Sequence, residues 1–252
     1  MKTSKTSLIQ DYKVFEGRYN SQMPLLVQEG LTPLTIKDVM QYRLQAIQSK
    51  DKDEMNFWLN KYWDTIDGLA YHDNKLIVVP NSQELFNINQ DSKFSNGSLI
   101  LNDEQYKELS KKHEVIKRNK ITSEKSLTKE QAKQHPIWLK LAQEDRALLN
   151  EYTDAIFSKT KEFYNYDKNM GIYLSNDQEN PVMHVWYLGD LYDWSNAVAR
   201  YDSLVDYRLL GMRGQNLGST LEKIALKEKL TNPSKSQKAI RMYKSIMEKV
   251  RW

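Results

Sequence analysis

His184 sits inside the apolar run Val182-Met183-His184-Val185-Trp186-Tyr187-Leu188, and Asp190 and Asp193 follow just beyond it. An imidazole beside a carboxylate can move a proton, so these three are the candidate general acid–base groups of the chain. Each also has an ordinary structural use. Aspartates at a helix start accept from its first N–H groups, and a histidine in an apolar strand is most simply a hydrogen-bonded core residue. Further on, Gly211-Met212-Arg213-Gly214-Gln215-Asn216-Leu217-Gly218 runs into Ser219 and Glu222, a capping-box pair. A glycine-rich loop feeding a helix N-terminus, with an arginine inside it, is a recipe for holding an anion. Here Arg213 would act with the backbone of Gly211, Gly214, Gln215, Asn216 and Gly218. The spacing matches neither the phosphate-loop nor the dinucleotide fingerprint, and a plain connector between two helices explains the glycines equally well.

The other histidines, His72, His113 and His135, have no second histidine at metal-ligand spacing. His72 is the second to examine after His184, because Asp64, Asp67 and Asp73 lie near it. Asp202 and Asp206, four apart, supply too few oxygen ligands for a cation by themselves. The chain has no cysteine, which excludes disulfides, thiolate nucleophiles and Cys-ligated metals. No metal and no cofactor is expected.

Charge gives the clearest hint of a partner. The whole chain of 252 residues carries only +4, but from Ser219 to Trp252 nine basic residues stand against three acidic ones, a net charge of +6. Lys235, Lys238, Arg241 and Lys244 line the polar side of an apolar stripe made by Ala239, Ile240, Tyr243, Ile246, Met247 and Val250. That is either a helix docked on the core with a solvated basic back or a surface for nucleic acid or an acidic protein.

The elements that must position these groups follow from periodicity. Ser7 to Glu16 reads as a helix; Thr35 with Asp38 caps a second, over Ile36, Val39, Met40, Leu44 and Ile47. Met55, Phe57, Trp58, Leu59, Tyr62, Trp63 and Ile66 form a broad aromatic helix face before Gly68, most simply core. The period then changes: Leu69 to His72 and Lys75 to Val79 around Asp73-Asn74 predict a hairpin, and Asn96-Gly97 predicts a second turn leading into Leu99-Ile100-Leu101. Asn102 and Asp103 cap a charged helix to about Arg118. Lys117 to Lys133 is polar and linker-like. Pro136 starts a long helical pattern, then Ile172 to Leu174 and Val182 to Leu188 read as strands. A helix opening at Asp190 would put Leu191, Trp194, Val198, Tyr201 and Val205 on one buried face.

These readings sum to an α+β protein, predominantly helical with two small antiparallel strand groups. Residues 1–118 form a helical region with a small sheet and 134–252 a helical region with two short strands and a basic C-terminal helix, divided near 119–133; a single domain also fits. Mean hydropathy of −0.72 and the lack of a membrane-length apolar run predict a soluble protein with no membrane partner. The N-terminus has no apolar h-region, so the expected location is the cytoplasm. Two functions stay open. One is a non-enzymatic binding protein for an anionic partner, using the basic C-terminal region. The other is an enzyme for a phosphorylated or other anionic small substrate, with Arg213 as clamp and His184, Asp190 and Asp193 as acid–base groups.

Overall fold

A ten-residue strand from Trp63 to His72, buried along almost its whole length, runs through the middle of the structure. The computed structural model describes residues 12–89, 91–121, 123–174, 180–199 and 208–213. Within them the strands are β1 Tyr12–Glu16, β2 Thr32–Pro33, β3 Trp63–His72, β4 Lys75–Val79, β5 Phe94–Ser95, β6 Ser98–Ile100, β7 Ile116–Lys117, β8 Glu124–Leu127, β9 Asn169–Leu174, β10 Val182–Leu188, β11 Ala197–Ala199 and β12 Arg208–Met212. The helices are α1 Tyr19–Gln28, α2 Ile36–Ser49, α3 Lys52–Leu59, α4 Gln83–Phe86, α5 Asp103–Lys112, α6 Lys129–Gln134, α7 Pro136–Leu141 and α8 Arg146–Tyr164.

The described strands join into one 12-stranded sheet, whose main path runs β1-β12-β3-β10-β11-β9-β8. It is mixed: β12 lies parallel to β3 and β11 parallel to β9, while β3 with β10 and β3 with β4 are antiparallel. Both faces are covered. Along β4, Leu76 and Val78 enter one core with α2, α3, α7 and α8, whereas Ile77 and Val79 enter a second with α1, α4 and α5. Burying side chains on both faces removes apolar area from water twice per strand, so the sheet is the spine of two cores rather than the lid of one.

This corrects the expected predominance of helices with two small strand groups. A strand buried on both faces shows a continuous apolar run without alternation, and several others are only two to five residues long, too short for a period to declare itself. Four local expectations fall for related reasons. Tyr12–Glu16 is the strand β1, not part of a helix. The aromatic helix stops at Leu59, and Trp63 already belongs to β3, although Trp58 and Trp63 are both fully buried as the apolar face required. The polar stretch from Lys117 contains β8 and α6, and β8 pairs with β9. No helix opens at Asp190; a tight turn leads instead into β11.

Other local signals hold. Thr35 and Asp38 form a reciprocal capping box on α2, and Asn102 with Gln105 does the same on α5. The β3–β4 hairpin turns at Asp73 and Asn74 (φ 48° and 58°). Asn96 and Gly97 turn β5 into β6 with φ of 47° and 77°, the left-handed pair that a two-residue hairpin needs. Pro136 takes the first turn of α7, but the pattern it starts breaks at Gln143 and Glu144, both left-handed, before α8 begins.

Candidate functional site

The acid–base residues do not converge. His184, on the β10 face that carries Trp186 and Leu188, is 1% exposed, and its Nδ1 shares a 2.7 Å hydrogen bond with Ser98 Oγ. Burial pushes the imidazole down to about 4, so it stays neutral at physiological pH. Asp190 lies beyond the end of β10, and Leu188 alone is about 13 Å along the strand from His184. The Asp190 carboxylate accepts from the N–H of Asp193 at 2.7 Å, and its carbonyl accepts from the N–H of Ser195 at 2.7 Å. Asp190 thus caps its own turn rather than a helix. Asp193 is exposed on the same turn.

Gly211 sits within β12, opposite Pro33, where a Cβ would come within 2.9 Å of Leu31 and 2.8 Å of Leu26. Arg213 follows the strand and is exposed. Gly214, Gln215, Asn216 and Gly218, and the basic residues Lys235, Lys238, Arg241 and Lys244, lie outside the described residues. Among those described, no group of three or more His, Asp or Glu side chains is placed to hold a metal ion.

Asp64 and Asp67, grouped with His72 in the sequence, are both buried in β3, at a stretch where its register with β10 is irregular, and the charge of each acts on the Tyr19 phenol. Asp67 accepts from the backbone N–H of Ile36 at 2.6 Å and of Asn81 at 2.8 Å, tying the first turn of α2 to the chain beyond β4. Burial pushes its carboxyl up to about 7 against the pull of those two donors. His72 pairs at 3.4 Å with Asp73 instead.

What the fold does gather is aromatic. The turn between β10 and β11 carries Tyr192, 70% exposed, and the half-buried Trp194, which meet the chain leaving the C-terminal end of α8. Tyr164 and Tyr166 stack with centroids 5.5 Å apart; Tyr192 packs edge-on against Tyr164 at 5.8 Å, and Trp194 edge-on against Tyr166 at 5.7 Å. Phe163 extends the patch and is 49% exposed, with the Lys159 ammonium 5.3 Å from its ring centroid. The offset and edge-to-face geometries are those that aromatic quadrupoles prefer.

The backbone beneath this platform is strained and pinned. Trp194 and Ser195 both have left-handed φ, 55° and 48°, and so does Met170 at 52°. A bulky residue there costs about 1–3 kcal/mol, which persists only where the surroundings over-determine it. Here they do. The Met170 N–H donates to the Trp194 carbonyl at 2.8 Å, and the Met170 carbonyl accepts from the Trp138 indole at 2.7 Å. Leu191, fully buried, donates its N–H to the Leu59 carbonyl at 2.8 Å. Asn196 Oδ1 accepts from the Gly171 N–H at 2.7 Å, and its carbonyl from the Gly189 N–H at 2.8 Å.

Below the turn lies Arg43, fully buried in α2. Its guanidinium donates to the carbonyls of Trp58 (2.9 Å), Lys61 (3.1 Å) and Gly189 (2.7 Å), to the Tyr152 hydroxyl (3.1 Å) and, more weakly, to Ser195 Oγ (3.4 Å). One side chain therefore ties α2, the chain entering β3, α8 and both ends of the aromatic turn. Sequence reasoning passed over Arg43, although a lone arginine within the apolar stripe of Ile36, Val39, Met40 and Leu44 is a signal. It also assigned Trp194 to a buried helix face, because Leu191, Trp194 and Val198 happen to be spaced for one.

In fold, the chain is similar to a solved protein described under the accommodation of massive sequence variation in Nanoarchaeota by the C-type lectin fold. The TM-score is 0.65 and the identity 17%, over 81% of this chain and 99% of that one. The architecture is thus C-type lectin-like, with the mixed sheet in place of the expected helical majority; at this identity the likeness speaks to fold alone. No family model matches the chain, and no curated protein matches it by sequence.

Proposed function

We propose that the chain is a non-enzymatic binding protein whose contact face, within the described residues, is the aromatic platform of Tyr164, Tyr166, Tyr192 and Trp194. The observation that carries this reading is the strained, pinned turn that presents Tyr192. An exposed tyrosine beside a half-buried tryptophan on a rigid backbone offers large contact area at little entropic cost, the composition of binding hot spots. A backbone strained by left-handed residues and held by many hydrogen bonds is preorganised, which cuts the ordering cost of association. Against catalysis stands the separation of His184, neutral and buried, from Asp190 and Asp193 on their own turn.

The net charge of +6 over residues 219–252 supports a second contact, with an anionic partner such as nucleic acid or an acidic protein. Titration of the full chain with a single-stranded oligonucleotide, an arginine-containing peptide and a neutral oligosaccharide, followed by NMR, tests both parts. Saturable shifts of the Tyr192 and Trp194 ring signals with any probe are expected, and silence at both rings with all three defeats the platform reading. Oligonucleotide affinity should fall log-linearly with salt and vanish on deletion of 219–252. Binding that ignores salt, or survives the deletion, removes the anionic partner.

A further inference from the structure

We infer that the platform receives a basic protein surface, seating an arginine or lysine side chain against Tyr192 with Asp190 as its counter-charge; this rests on the binding reading above. Four observations on the patch converge on a cation. First, Tyr192 contacts Tyr164 through an edge-to-face arrangement and remains 70% exposed, so ring surface is open at the outermost point of the platform. The face of a phenol ring is the negative end of its quadrupole and attracts a guanidinium or ammonium.

Second, Asp190, two residues before Tyr192 on the same turn, makes no ion pair among the described residues, whereas Lys159 and Lys161 are engaged, with Glu162 at 2.7 Å and with Asp167 at 2.7 Å. Its proximity shows in Tyr164, whose phenol is pushed up first by burial and next by the Asp190 charge. Third, the Asp190 side chain is held in place by the Asp193 N–H at one oxygen, and a carboxylate has lone pairs to accept more than one donor. An arginine fork arriving over Tyr192 would meet a fixed acceptor.

Fourth, Tyr164 and Tyr166 spend one face each on the other. Of the four platform rings only Tyr192 is exposed, so the surface offers one projecting ring rather than the flat open shelf that stacking on a sugar ring or a nucleobase uses. Nucleic acid is further disfavoured at this spot because its phosphates would approach Asp190. The patch already carries an instance of the proposed contact, since the Lys159 ammonium lies 5.3 Å from the Phe163 centroid.

The test is an NMR titration of the full chain with acetyl-Gly-Arg-Gly-Arg-Gly-amide, and separately with maltohexaose, observing the Tyr192 ring and Trp194 indole. The arginine peptide should shift both saturably. Tyr192→Ala should weaken that binding about two- to fivefold, the worth of an exposed cation–π contact. Asp190→Asn retains the acceptor for the Asp193 N–H but removes the charge, so it should weaken the peptide about two- to threefold and flatten its salt dependence. Unchanged core indole signals of Trp63 and Trp186 show that each variant is folded. Shifts with maltohexaose alone, or peptide binding indifferent to Asp190→Asn and to salt, overturn the cationic partner while the platform's role in binding stands. Silence with every probe overturns both.

Discussion

Two regions of the molecule hold residues of the types that do chemistry, and the fold treats them oppositely. In the interior of the sheet, His184, Ser98, Asp64 and Asp67 are buried at 4% exposure or less, each polar group set among apolar neighbours. At the end of β10, Asp190, Tyr192 and Trp194 stand on a turn whose backbone is strained and whose rings meet solvent. Of these, His184, Asp64 and Asp67 have shifted proton affinities, but all four have little access to a substrate. The outer groups have access, on a rigid base. Residue type nominates a site; the path of the backbone through the sheet decides which nominee can touch anything.

Breaking the base of the outer region should have the largest effect. Arg43→Met keeps the apolar stem but leaves the buried carbonyls of Trp58 and Gly189, and the half-buried one of Lys61, without these donors, and should cost about 4 kcal/mol in urea unfolding. Hydrogen exchange in residues 189–196 should rise with it. A loss below about 1 kcal/mol would mean that the turn is held by its own hydrogen bonds and not from beneath.

The interior region is sharpened by pH. His184 has its folded value pushed down to about 4, below the ordinary histidine value, so its contribution is present above about pH 6.5 and is lost as pH falls toward 4. Asp67 works the other way. Its folded value is pushed up to about 7, so its contribution is present below about pH 4 and is lost as pH rises through 7. The two slopes oppose each other between about pH 4 and 6.5. His184→Leu should therefore remove on the order of 3 kcal/mol of acid-side loss, while His113 and His135, whose imidazoles burial also pushes down, keep their own. Unfolding midpoints across pH 4–8 check it, and a pH profile identical to the parent's would show that His184 is already protonated when folded.

The smallest effect separates strain from contact. At an ordinary position glycine is less stable than alanine, but at Trp194, with φ of 55°, Trp194→Gly should be about 1 kcal/mol more stable than Trp194→Ala. Thermal unfolding of the pair measures this. The usual order, alanine above glycine, would mean that the left-handed turn relaxes once the indole is gone.

How much of this was legible beforehand differs by kind of signal. Caps and two-residue turns were readable because they are local: Thr35 with Asp38, Asn102 with its first turn, and Asn96-Gly97 act within four residues. The sheet was not, because its partners are remote. Nothing near Leu69 announces that it lies opposite His184, and β12 hides in a segment whose glycines suggest a loop. The aromatic platform was half visible. Trp194 was noted, yet a spacing that also fits a helix sent it inward, Tyr192 carried no signal of its own, and their partners Tyr164 and Tyr166 come from a different part of the chain. Arg43 was readable as an anomaly in an apolar stripe, though not the five groups it serves.

The pairing of β1 with β12 joins Tyr12 to Met212. During synthesis at about 5–20 residues per second, the first strand waits about 10–40 s for its partner to be made. Through that interval its ladder groups and the apolar side chains of Val14 and Phe15 have no native cover from β12. The late-made strand thus sets the moment at which the earliest one can close, and the growing chain is most open to mispairing or chaperone capture just before it.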